Sequence, residues 1–80
     1  MTLLEAFNED EKRFFSLKVD SDAVMFYKGY KAIKSSDGDI KMYDTTGGGA
    51  TYSEFTVDQY AMVERFGWRN TIKQLKSNQK

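Results

Sequence analysis

The sequence predicts an α+β fold: a short N-terminal helix, a four-stranded antiparallel sheet and a C-terminal helix broken near Gly67. Three observations carry this expectation. Capping-box patterns at Thr2–Glu5 and Thr56–Gln59 mark a helix start near each end of the chain. Between them, apolar residues recur with a period of two. The turn-forming clusters Asp20-Ser21-Asp22, Ser35-Ser36-Asp37-Gly38 and Thr45-Thr46-Gly47-Gly48-Gly49 divide that region into strands.

Thr2 and Glu5 occupy the reciprocal positions of a capping box, and Leu3, Leu4 and Phe7 follow as a short apolar stripe. A helix of about two turns, ending between Asn8 and Glu11, is expected to cover one end of the sheet; a longer helix reaching Phe15 is the alternative, with Glu11 interrupting the face shared by Leu4, Phe7 and Phe14. Arg13 to Asp20 alternates, with Phe15, Leu17 and Val19 on one face and Phe14, Ser16, Lys18 and Asp20 on the other. Residues 23–34 are rich in Val, Phe, Tyr and Ile and are read as one long strand. Its alternation is blurred: Val24, Phe26, Tyr30 and Ala32 share one face, and Met25, Tyr27 and Ile33 the other. A bulge at Gly29 would explain the blur.

Ser35-Ser36-Asp37-Gly38 is the clearest hairpin signal, because Asp and Gly tolerate the positive φ of tight turns. The third strand is Asp39 to Asp44. The glycine triplet forms a loop, and Ala50 to Phe55 returns as the fourth strand. Phe55 and Tyr60 flank Thr56 at the two positions of a hydrophobic staple, and Asp58 suits the positive end of the helix dipole. Beyond Glu64 the chain carries Arg65, Arg69, Lys73, Lys76 and Lys80 and no acid, the charge order of a C-terminal helical segment. Tyr60, Val63 and Phe66 form one apolar stripe, and Trp68, Ile72 and Leu75 a second. Gly67 between them is read as a left-handed cap, giving either a helix–glycine–helix corner, with Asn70 as a cap for the second piece, or one kinked helix. Residues 77–80 are expected to fray.

The expected core is Phe15, Leu17, Val19, Val24, Phe26, Ile33, Ile40, Met42, Phe55, Val63, Phe66, Ile72 and Leu75. On this placement, Phe66→Ala would cost about 3–5 kcal/mol. The whole chain, residues 1–80, is one small domain, and with no cysteine available its six Phe, five Tyr and one Trp must supply the core.

Composition also bounds function. The chain has no histidine and no cysteine, which removes Ser-His-Asp and Cys-His catalysis, thiolate or histidine metal sites and thiol redox chemistry. Its carboxylates fall in turns, caps and the acidic head Glu5, Glu9, Asp10 and Glu11, where solvation is their default role. Gly47-Gly48-Gly49 lacks the Gly-Lys-Ser/Thr ending of a phosphate loop. Asp37-Gly38-Asp39 with Asp44 falls short of a calcium loop, since Lys41 and Gly48 stand where further oxygen ligands are required. The expectation is therefore no enzyme, no cofactor and no metal. No apolar run approaches the roughly 18 residues of a membrane span, and there is no continuous signal-peptide core. The absence of cysteine fits a cytoplasmic protein.

The formal net charge is zero. The constellation furthest from ordinary core and surface is Phe26, Tyr27, Lys28, Tyr30, Lys31, Lys34, Lys41 and Tyr43, aromatics interleaved with lysines on strands. Such a surface suits single-stranded nucleic acid, whose bases stack on aromatics while lysines track phosphates. The order of four strands and one long helix, over about residues 13–75, resembles the PC4-like single-stranded DNA-binding fold. Zero net charge weighs against a dedicated nucleic-acid binder. The run Ile40-Lys41-Met42-Tyr43-Asp44-Thr45, with Gly48-Gly49, Tyr52, Glu54-Phe55-Thr56 and Phe66-Gly67-Trp68, resembles the C-terminal half of small uncharacterised proteins encoded by bacteriophages. That resemblance implies a host-directed or regulatory protein that acts by binding.

The leading expectation is a small non-enzymatic protein-binding module, a regulator or inhibitor. Its candidate contact residues are Tyr27, Lys28, Tyr30, Lys31, Tyr43, Arg65, Trp68 and Arg69, because aromatics and Arg are enriched at interface hot spots. Nucleic-acid binding through the Lys/Tyr sheet face is the alternative, and a homodimer formed through helix 57–75 is a third.

Overall fold

The computed structural model describes residues 1–14, 16–45 and 53–77. Its elements run α1 (Leu3–Glu11), β1 (Ser16–Val19), β2 (Asp22–Tyr27), β3 (Tyr30–Lys34), β4 (Ile40–Asp44), β5 (Ser53–Glu54), α2 (Val57–Phe66) and α3 (Trp68–Ser77). Among the described residues, the strands form one antiparallel sheet in the order β1-β2-β3-β4-β5. Phe15, the 47–49 loop, the start of the expected 50–55 strand and residues 78–80 lie outside the described residues.

Both capping boxes form as the sequence dictates. The Glu5 amide donates to Thr2 Oγ1 (3.1 Å) and the Thr2 amide to Glu5 Oε1 (2.9 Å). The same pair of bonds joins Gln59 and Thr56, at 3.1 and 2.9 Å. Each box satisfies amides that the first helical turn cannot pair internally. The staple forms too, with the Phe55 and Tyr60 rings 5.8 Å apart.

The region expected as one strand, 23–34, is instead a hairpin. Lys28 and Gly29 both adopt positive φ, 50° and 84°, and Tyr27 pairs directly with Tyr30. This is the φ pattern of a type I′ turn, whose twist matches that of the flanking strands. Gly29 enters the left-handed region without steric cost, whereas Lys28 does not. Lys28→Asn is therefore expected to raise stability by up to about 1 kcal/mol, read as a higher urea midpoint. An unchanged or lower midpoint would contradict this turn geometry. The Thr45 amide ties the end of β4 to this turn through the Gly29 carbonyl, at 2.8 Å.

The expected Ser35–Gly38 hairpin is present. The Ser35 amide donates to the Asp39 carbonyl, and the Gly38 amide to the Ser35 carbonyl, both at 2.9 Å. The Asp39 amide donates to Asp37 Oδ1 at 3.1 Å, and bonds from Ser35 and Asp39 hold the Asp37 carboxyl below its ordinary pKa.

All three helices pack on one face of the sheet. Ala23, Met25, Tyr30, Ala32, Ile40 and Met42 meet Ala6 and Phe7 of α1, Val63 of α2, and Trp68 and Ile72 of α3, with Phe55 beside them. Tyr27, Phe14, Tyr60, Leu3 and Leu75 close the margins. Several residues expected in the core lie elsewhere. Leu17, Val19 and Phe26 are exposed on the opposite face of the sheet, and Ile33 is only half-buried. Val24 is buried but stands outside the main core cluster.

Phe66 is 39% exposed, with the Arg65 guanidinium 5.4 Å from its ring centre. The cost of Phe66→Ala is accordingly revised to about 1–2 kcal/mol, since much of its area already meets water. A loss of 3 kcal/mol or more in urea denaturation would restore the sequence-based placement.

Gly67 ends α2 with φ 90° and ψ 161°, a backbone region reserved for glycine rather than the left-handed helical cap expected. Its amide still bonds the Val63 carbonyl, at 2.8 Å. α3 then begins at once, and Asn70 lies within its first turn, where its side-chain Nδ2 donates to the Phe66 carbonyl at 3.0 Å. The cap comes instead from another helix: Asp10 of α1 accepts from the Arg69 amide at 3.1 Å and lies 3.8 Å from the Arg13 guanidinium.

Asp10 is buried, and that burial raises its pKa from the ordinary 3.8 against the pull of the Arg69 amide and the Arg13 charge. The folded state thus holds this proton more tightly than the unfolded chain does. Stability from this group is present below the ordinary value and declines as pH rises through the folded value. Asp10→Asn keeps a carbonyl acceptor without the charge. Its urea midpoint relative to wild type should rise as the pH is raised from about 3.5 to 6. Asp10→Ala should cost about 1–2 kcal/mol through the lost cap. An Asn variant whose offset did not move with pH would refute the assignment.

Candidate contact surface

Side chains alternate across a strand, so the sheet's second face is set by the same register that builds the core. Leu17 opposes Val24, Val24 opposes Ile33, and Ile33 opposes Lys41. These four make one cross-strand row. The adjacent row is Phe26, Lys31 and Tyr43. Val19 opposes Asp22 at the corner of the face, beside the β1–β2 turn, where Asp20 has φ 57°. Leu17 is 42% exposed, Val19 54% and Phe26 50%. Val24 is buried between these neighbours, while Ile33 and Tyr43 are half-buried. Lys31 Nζ lies 5.4 Å from the centre of the Tyr43 ring, a cation–π arrangement. Lys41 is exposed at the end of the aliphatic row.

This face is an open, mostly apolar platform. Its β1–β2 half carries the exposed aliphatic and aromatic side chains, and its β3–β4 half carries the lysines. Beyond β4, β5 pairs with the Tyr43–Asp44 end, and Tyr60 of α2 bonds the β4 edge at Met42. Tyr60 accepts from the Met42 amide (2.9 Å) through its phenol oxygen and donates to Glu54 Oε2 (2.8 Å). Burial, together with the neighbouring Glu54 carboxylate, pushes the Tyr60 phenol up to about 12. The phenol thus stays protonated and serves as a hydrogen-bond bridge.

Of the candidate contact residues, only Lys31 and Tyr43 fall on this face. Tyr30 and Trp68 are enclosed in the core, so neither presents a side chain to a partner in this structure. Tyr27 turns to the helix side, with Phe14 4.5 Å and Trp68 6.1 Å away between ring centres. Lys28 sits in the β2–β3 turn, its ammonium 5.3 Å from the Tyr27 ring centre. Arg65 is exposed on α2, and half-buried Arg69 lies at the start of α3, so both are remote in the chain from the platform strands. The expected aromatic cluster is therefore divided between two faces of one sheet. The residues missed as surface are Leu17, Val19 and Phe26. The signal that could have found them is the alternation of Lys31 and Lys41 with the core positions Ala32 and Met42, because lysine belongs on the wet side of a strand.

Among the described residues, no group of three or more His, Cys, Asp or Glu side chains could hold a metal ion. The buried carboxylate Asp10 is occupied as a helix cap. The cleft beside it, about 40 Å³ and bordered by Met1, Ala6, Phe66 and Asn70, has room for water rather than for a substrate. No helix among the described residues is long and apolar enough to cross a membrane. No protein family, curated protein or solved structure matches the chain.

Proposed function

We propose that this chain is a small non-enzymatic protein-binding module that occupies a partner's surface with the helix-free face of its sheet. The observation that carries the reading is the grouping of Leu17, Val19 and Phe26, each at least two-fifths exposed, on one side of β1 and β2. Apolar and aromatic side chains grouped on an open face are what a protein interface buries at its centre, and lysines at its margin set orientation. The resemblance of residues 40–68 to bacteriophage-encoded proteins adds a regulatory or inhibitory role toward a host protein. The absence of cysteine fits action in the cytoplasm. The test is affinity capture of the tagged protein from a lysate of its natural host, with and without nuclease. A discrete protein that persists after nuclease supports the reading, and capture that vanishes with nuclease removes it.

One row favours a second reading, single-stranded nucleic acid. Phe26, Lys31 and Tyr43 alternate aromatic, cation and aromatic across three strands, the pattern on which bases stack. The described topology departs from the PC4-like order by its fifth strand and its helix corner at Gly67. Binding that weakens steeply between low and moderate salt, and falls further with Lys31→Glu, would support this reading. Affinity indifferent to salt would exclude it.

A further inference from the structure

We draw no further inference here: the strongest candidate, the exposed apolar patch of Leu17, Val19 and Phe26 on the helix-free face of the sheet, belongs to the site already described, and nothing in the structure shows what covers it.

Discussion

Trp68→Ala is expected to remove a large share of the fold's stability. Trp68 is 0% exposed and opens α3 directly after the Gly67 corner. Its ring lies 6.2 Å from Phe14 and 6.1 Å from Tyr27, between ring centres, so it joins the segment after α1, the end of β2 and the start of α3. Removing it deletes the largest fully buried side chain and leaves a cavity among groups held by three different elements. Such a site collapses poorly, and truncations of this kind cost about 3–5 kcal/mol. An 80-residue domain has roughly 4–12 kcal/mol in total. The loss should appear as a fall in Tm of more than about 12 °C by circular dichroism. Trp68→Phe is the informative companion. The indole N–H is buried without an acceptor among the described residues, so a phenyl ring forfeits area but no hydrogen bond. Its cost should be well under half that of alanine. A Trp68→Ala protein melting within a few degrees of wild type would place this residue outside the core.

The second large effect is expected in binding. Leu17→Thr combined with Phe26→Thr removes most of the exposed apolar area on the β1–β2 half of the platform. Threonine keeps the β-branched preference for a strand, so the sheet should persist with a modest loss of about 1–2 kcal/mol. Capture of the nuclease-resistant protein partner should fall at least ten-fold, since central apolar anchors each carry about 1–2 kcal/mol or more of binding. Val57→Thr is the control: Val57 is 84% exposed but lies on α2, away from this face, and its loss should leave capture intact. Undiminished capture by the double variant would move the contact surface elsewhere, with the basic helical end around Arg65 and Lys73 next to test.

Short-range chemistry was readable directly from the sequence. A capping box needs two side chains three residues apart, so Thr2 with Glu5 and Thr56 with Gln59 located both helix starts without reference to the rest of the fold. The Phe55–Tyr60 staple, the hairpin at Ser35–Gly38 and the helix break at Gly67 are local in the same sense. The tight turn at Lys28–Gly29 was local too, yet it was hidden. A lysine at positive φ is an unusual choice, and the apolar residues around it read as one uninterrupted strand.

What the sequence alone determined, then, is that the chain alternates helix, strands and helix, and where most of those elements begin and end. Period-two alternation shows that a strand has two faces, but it does not say which one the helices cover. Leu17, Val19 and Phe26 are as apolar as Ala23, Met25 and Tyr30, and only the packing of three helices against the second set made it the core. The cap supplied to α3 by Asp10, 59 residues away from Arg69 in the chain, was beyond sequence for the same reason. Burial and capping across such separations depend on which surfaces meet when the elements assemble, and that is decided by tertiary structure. The candidate contact surface is the face left over from that choice.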